Sequence, residues 1–450
     1  MTAVVFPLPF TPFEYYYWCD DRPDWPTTFP IELVFRGTLQ RPEFEQAYRL
    51  VVARHPLLHA LVDTRAARLP RWIDGSDRSA PVDWADDQSS RQPLTDAFLD
   101  LTSLPGLRVW VRVSAEQSRV VLQFHHAFCD ALGALQFIEE LLLAYHALIV
   151  GSAGDSQLPA LDPARLAQRG DYGLSTADYR PGLHDAWITA RIWSNTLLRR
   201  PGVVARSRSA IAAPSPANHG RPYQTQALGQ GFMEKLHATA AGTGAGATVN
   251  DLMLRDLFLV LRRWNVEHGG RRRQRLTVNM PVSLRSRVDR GMPAANSLGF
   301  WFVHRSAAEC AQPAVLLDSI RNETAAVKKW RMPLYFVGGL GVAAHVPGLM
   351  RSMLRGKQSF ATAVFSNVGR IFPRTPLEHD EGRLVCGNAV LERVTGVPPI
   401  RPGTRIAIVV VTYANETTIN LRSDPNELSP SDAEQLLARF HEQLMISGGT

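Results

Sequence analysis

Within its first half the chain passes from a β-prone stretch, Val120 to Phe124, through His125 and His126 almost directly into a helical pattern running from Ala131 to Leu148. Leu135, Ile138, Leu142 and Tyr145 fall on one stripe of that helix, the spacing of a face that has to be buried. A strand feeding a helix within a few residues needs a sheet covered by helices, which restricts the chain to α/β architectures. The residues between them, Phe124 to Gly133, sit where side chains can face a cleft while the backbone stays fixed.

The chain is 450 residues long, more than one core normally supports, so two core-bearing halves are expected. In the first, Ile31 to Phe35 reads as a short strand ending at Gly37, followed by an amphipathic helix from Pro42 to Arg54. Leu107 to Val113 alternates large apolar and basic residues, as a half-buried strand does, and pairs with Val120 to Phe124 through a turn at Ser114 to Ser118. From about Ser152 to Ala227 the pattern weakens. Ala186 to Leu198 is helical there, but Arg199 to Arg221 collects Gly, Pro, Ser and Arg and reads as a linker.

The second half restarts with a helix at Phe232 to Ala241, then a turn holding Gly242, Gly244 and Gly246, then a helix from Val249 to Trp264. Arg275 to Met280 is a strand, and Arg405 to Thr412 with Thr417 to Arg422 form a hairpin about Ala414 and Asn415. Ser429 caps and Pro430 opens the last helix. The expected division is a first lobe over 1–165, a linker or crossover over 166–226, and a second lobe over 227–450.

A hydrophobic fraction of 45% with 20% charged residues is that of an ordinary globular protein. Cys19, Cys129, Cys310 and Cys386 are scattered without a CxxC pair, so neither a disulfide framework nor a metal site is expected, and a reducing cytoplasm fits best. Met1 to Phe13 lacks the basic start and unbroken apolar core of a signal peptide. The longest apolar run, Pro333 to Met350, is broken by glycines, His345 and Pro347 and falls short of the roughly 20 residues that span a bilayer. A soluble protein is expected. The net charge of +7 favours acidic partners. Nucleic acid is set aside because only that charge supports it, and Arg271, Arg272, Arg273 and Arg275 read as a solvated loop. Pro333 to Lys357 has two readings: a greasy, basic-edged surface for a long acyl chain or membrane headgroups, or an internal helix pair beside the cleft.

A histidine is suited to taking a proton from an alcohol or amine as that group attacks a carbonyl, since its ordinary pKa near 6.5 leaves the neutral base available. A carboxylate four residues later, Asp130, can pair with an arginine and order the loop.

His125-His126-x-x-x-Asp130 resembles the HHxxxDG motif of the chloramphenicol acetyltransferase-like superfamily. That group includes condensation domains, polyketide-associated acyltransferases, bacterial wax ester synthase/diacylglycerol acyltransferases and plant BAHD enzymes. Further segments resemble the family in the right order: Arg54 to Leu58 (RHxxL), Thr248 to Asp251 (TVND), Met280 to Arg285 (MPVxLR), Asn296 to Gly299 (NxxG) and Ser366 to Gly369 (SNxG). The resemblance covers nearly the whole chain. Two departures stand out. Ala131 replaces the motif glycine, although Gly133 follows, and a DFGWG-like motif is missing, which argues against the BAHD branch.

The resemblance implies two chloramphenicol acetyltransferase-like lobes, mixed sheets covered by helices, in a V-shaped pseudo-dimer with an active-site tunnel between them. It implies a free-standing acyltransferase acting by direct attack. His126 would be the base with His125 beside it, and Asp130 the loop-ordering carboxylate with Arg285 as partner. Gly133 would support the loop, while Ser366 and Asn367 would contact the oxyanion or acceptor. The donor would be acyl-CoA or a phosphopantetheinyl carrier-protein thioester, with no permanently bound cofactor. The acceptor would be a small molecule or lipid bearing a hydroxyl or amine, and a peripheral membrane contact is compatible with this. Two alternatives keep the fold: a non-catalytic module binding carrier protein or lipid, and a thioester hydrolase. The lack of a GxSxG elbow counts against the hydrolase.

Overall fold

The computed structural model describes residues 5–65, 68–78, 81–86, 97–151, 158–174, 182–198, 200–206, 223–243, 246–270, 274–356 and 359–449. Gly244, Arg271 to Arg273, Lys357 and, within the expected linker, residues 175–181, 199 and 207–222 lie outside them. In chain order the strands are β1 (Leu8–Pro9), β2 (Thr28–Arg36), β3 (Leu61–Asp63), β4 (Arg71–Ile73), β5 (Asp83–Ala85), β6 (Leu107–Val113), β7 (Gln117–His125), β8 (Tyr223–Gln230), β9 (Leu276–Ser283), β10 (Leu298–Arg305), β11 (Ala363–Arg370), β12 (His379–Asp380), β13 (Arg383–Cys386), β14 (Ala389–Gly396), β15 (Ile406–Tyr413) and β16 (Glu416–Ser423). The α-helices are α1 (Pro12–Asp20), α2 (Arg41–Arg54), α3 (Ala131–Val150), α4 (Leu183–Leu198), α5 (Phe232–Gly242), α6 (Val249–Glu267), α7 (Pro313–Lys329), α8 (Pro333–His345), α9 (Leu349–Leu354) and α10 (Pro430–Ser447).

Two large mixed sheets result. One has the order β12-β13-β14-β2-β7-β6-β5, the other β10-β9-β11-β15-β16-β8, and β1-β4-β3 form a small third sheet. The fold is α/β with two helix-covered lobes; one hydrophobic core draws on both halves of the chain, from Leu8 to Tyr413, and a second lies within Val204 to Leu444. Strand β6 buries every second residue, as its alternation predicts. Ala414 and Asn415 take φ of +47° and +62°, the left-handed pair that a tight β15–β16 turn demands. Asp130 caps α3, and a Thr248–Asp251 capping box opens α6. Among the described residues α3 alone is long and apolar enough to cross a membrane. It packs its Phe137, Ile138 and Leu141 fully into the first core.

The division at 227 is corrected by the sheet order. Residues 379–396 leave the second lobe, and β14 pairs antiparallel with β2 from Val390–Arg36 to Gly396–Ile31. Without β14, the inner strand β2 would present a row of unpaired backbone groups at the sheet edge. The segment read as linker is partly built structure, since Trp193 of α4 stacks on Phe336 of α8 at 4.7 Å. The segment from Pro333 is partly internal and partly at the surface. Helix α8 buries Phe336, Val337 and Leu340, while Val342, Val346 and Leu349 remain exposed.

Helix α1 was not anticipated. Thr11 and Glu14 form a capping box at its start, with Pro12 in the first turn. Glu14 is fully buried and takes Arg169 in a fork, Nε to Oε1 at 2.6 Å and Nη2 to Oε2 at 2.8 Å, while Trp72 Nε1 donates to it at 3.1 Å. Changing Glu14→Gln would leave the buried Arg169 guanidinium uncompensated. Stability should fall by about 3–5 kcal/mol, read as a lower urea midpoint with unchanged slope.

Candidate functional site

Strand β7 delivers two histidines to different surroundings. His125 is fully buried. Its Nδ1 accepts the Ala127 N–H at 3.1 Å, so the ring proton is on Nε2, 3.1 Å from Asp21 Oδ2. His125 thus staples the strand end to the segment after α1. It has no face on the cavity described below, and its expected catalytic part gives way to a structural one.

His126 is half-buried and its free face opens into that cavity. Its ring is stacked on Tyr17 of α1, centroids 4.2 Å apart and planes within 8°, with Phe29 of β2 at 4.8 Å on a tilt. Tyr17 Oη lies 3.4 Å from Nε2, while Nδ1 is buried without a hydrogen-bond partner among the described residues. Burial in this aromatic, apolar setting pushes the imidazole pKa down to about 4, against the opposing pull of the Asp130 carboxylate. At neutral pH the ring is therefore uncharged.

Asp130 holds the loop from three sides. Oδ1 accepts the Gly133 N–H at 2.9 Å; Oδ2 accepts Arg285 Nη1 at 2.7 Å and the Ser297 N–H at 2.9 Å. Burial alone would raise this carboxyl, but the Arg285 charge and hydrogen bond, with the two backbone N–H groups, hold it below the usual range. Arg285 is thus the partner the motif implied. Asn296 adds a clamp, its Nδ2 donating to the carbonyls of His126 at 2.7 Å and Ala127 at 3.0 Å. Gly133 is closely packed, since a Cβ there would lie 3.0 Å from the Ala295 carbonyl oxygen. Ala131 is simply the first residue of α3, where alanine is favourable.

The cavity, about 1190 Å³ including its mouth, lies where the two large sheets face each other. One wall comes from α1, β2 and α3 (Tyr17, Phe29, Ile31, Leu135), the other from β9, β10, β11 and β15. The segment after β14, Val397 to Pro402, closes it. Ser366 lines the cavity, but Asn367 does not: it turns to the other face of β11, toward Met253 of α6 at 3.8 Å. Strand alternation allows only one of two neighbours to face inward. The place expected for Asn367 contains Asn279 instead, a buried residue of the lining whose Oδ1 has no partner among the described residues. Tyr17, Asn279, Asp20 and Arg401 were missed. Only α1 left a readable trace, in Thr11-Pro12-x-Glu14 ahead of the aromatic run Tyr15 to Trp18.

No family model matches the chain. An uncharacterized protein of Mycobacterium tuberculosis strain H37Rv, Rv2305, is 28% identical over 261 residues, 57% of this chain and 57% of that protein; the corresponding protein of strain CDC 1551, MT2362, matches equally. The match thus spans little over half of these relatives. Among solved structures, the first condensation domain of the calcium-dependent antibiotic synthetase, in complex with a substrate analogue, superposes with a TM-score of 0.70 at 16% identity, covering 98% of this chain and 96% of that one. The condensation domain of the polyketide synthase MokA gives 0.68 at 13%, covering 99% and 98%. A mutant starter condensation domain of rhizomide synthetase RzmA, in complex with C8-CoA and Leu-SNAC, gives 0.66 at 14%, covering 99% and 95%. The chain therefore has the fold of those condensation domains.

Substituting Asp130→Asn keeps an oxygen for the α3 cap but leaves Arg285 without its counter-charge. The expected loss is about 3 kcal/mol of unfolding free energy at pH 7. Because the native carboxyl is held below its unfolded value, its contribution is present above roughly pH 4 and fades as pH falls below that. Denaturation curves of the two proteins should therefore converge in acid.

Proposed function

We propose that this protein is an acyltransferase that moves an acyl group from a thioester to a hydroxyl or amine, with His126 as general base. The observation that carries the reading is an uncharged imidazole, clamped by Tyr17 and Phe29, facing an apolar cavity bounded by both lobes. As the acceptor attacks the thioester carbonyl, its proton passes to Nε2. The tetrahedral oxyanion then collapses, the carbon–sulfur bond breaks, and the departing thiolate recovers the proton from the imidazolium. Tyr17 O–H, beside Nε2, and Ser366 O–H are the neutral donors available to the oxyanion.

The RzmA starter domain, in complex with C8-CoA and Leu-SNAC, supports a thioester donor, and the positive net charge suits CoA or an acidic carrier protein equally. The reading includes a cytoplasmic setting, supported by four unpaired cysteines, and an acceptor range that extends to lipids. Exposed Val342, Val346 and Leu349 support a peripheral membrane contact. The non-catalytic alternative rested on Ala131, which sits without strain at the helix start.

Purified protein given acyl-CoA or acyl-carrier thioesters should release thiol only when an acceptor is added, and His126→Ala should lower the rate by about 10²–10⁴-fold. Thiol release without acceptor would mean a hydrolase; an undiminished His126→Ala rate would remove the mechanism. Activity should persist as pH drops from 7 and fall only near pH 4, where the ring takes up its proton. Tyr17→Phe keeps the stacked ring but loses the hydroxyl, so kcat should fall about 10²-fold with KM little changed.

A further inference from the structure

The cavity beyond His126 is walled by Ile31, Val394, Val397, Ile400, Val409 and Val411, side chains that offer hydrocarbon and nothing else. Apart from the uncharged His126, two ionisable charges reach its lining among the described residues, Asp20 and Arg401. They bind each other in a fork: Arg401 Nη2 donates to Asp20 Oδ1 at 2.8 Å, and Nε donates to Oδ2. Asp20 is 2% exposed and the Arg401 side chain 19%, and the guanidinium also lies over the Phe360 ring at 4.5 Å. Arg22 approaches the same carboxylate at 3.8 Å. Both charges are thus occupied. An ammonium or carboxylate brought in on an acyl group would lose its water and meet no free counter-charge, an unfavourable exchange. A methylene chain would meet hydrocarbon along the Ile31, Val394, Val397, Ile400, Val409 and Val411 wall, surface that water gains by leaving.

We infer that this cavity selects an uncharged, apolar acyl chain and turns away ω-aminoacyl and ω-carboxyacyl groups, with Asp20 and Arg401 masking one another. The inference rests on the acyl-transfer reading and adds the class of acyl group. The mask is also a latent specificity switch, because removing the Asp20 charge would free Arg401 to receive a carboxylate.

The test compares butyryl-, octanoyl-, succinyl- and β-alanyl-CoA on the full chain, by turnover and by equilibrium binding measured against CoA itself. Butyryl and succinyl groups have equal carbon counts, so their ratio reads charge alone. Preference should rise about fourfold per methylene from butyryl to octanoyl. Succinyl- and β-alanyl-CoA should fall at least about 100-fold below butyryl-CoA. Asp20→Asn should narrow the butyryl-to-succinyl ratio by about tenfold or more, and Val397→Trp should lower octanoyl turnover more than butyryl turnover. If Asp20→Asn does not fold, the wild-type ratios and Val397→Trp decide. Turnover with succinyl-CoA equal to butyryl-CoA would overturn the selection and leave acyl transfer standing. Selective octanoyl binding without turnover would sink acyl transfer and leave the selection standing.

Discussion

The Asp130 carboxylate is the point at which the two halves of the molecule become one site. It caps the core helix α3 of the first lobe and, through its other oxygen, takes Arg285 and the Ser297 N–H from the second. Those partners lie more than 150 residues away in sequence. A buried carboxylate is tolerable only if its lone pairs are satisfied, and here three donors supply that. The Asn296 clamp on the His126 and Ala127 carbonyls acts in parallel, so the loop carrying His126 is held by hydrogen bonds from the opposite lobe. The position of the imidazole then depends on the docking of the lobes as well as on its own strand.

The return of the chain to the first lobe reinforces that docking. Strand β14 satisfies the open side of β2, and the chain leaving it runs along the cavity before reaching β15. Val397 to Pro402 therefore form a wall, and Arg401 is carried to Asp20 at the end of α1. Tyr413 strengthens the same crossing, its hydroxyl donating to the Leu391 carbonyl at 2.8 Å. Helix α1 is the complementary element. Anchored by the buried Glu14–Arg169 fork, it packs Phe13 against Phe300 of the second lobe and presents Tyr17 to His126. The parts of the site that determine what may bind thus come from segments far from the motif in sequence.

That distance explains what was legible in the sequence. The strand–histidine–helix passage, the helix caps and the β15–β16 turn could be read because each depends on local periodicity or turn chemistry, whereas the Asp130–Arg285 pair was implied only by the family resemblance. The exchange of β14 could not be read, because period-two alternation reveals a strand without its sheet. For the same reason Ser366 and Asn367 were indistinguishable until the orientation of β11 was known. Tyr17, Asn279, Asp20 and Arg401 carry no pattern at all, and their roles arise only from packing. His125 shows the converse, since adjacency to His126 suggested chemistry while alternation sent it into the core.

An imidazole whose pKa lies near 4 is a weak base, which at first counts against it as a catalyst. The acceptor's attack needs proton removal only as the new bond forms, however, and the efficiency of a general base depends on its protonated form as well. The same burial that weakens His126 as a base makes its imidazolium a strong acid, able to hand the proton to the departing thiolate at once. Burial of Nδ1, which has no hydrogen-bond partner among the described residues, contributes in the same sense. The Asp130 charge opposes this, but its oxygens are committed to Arg285, Ser297 and Gly133. A thioester, already activated, requires little from its base and much from the protonation of its leaving group, so an apolar histidine clamp suits it better than a charge-relayed one.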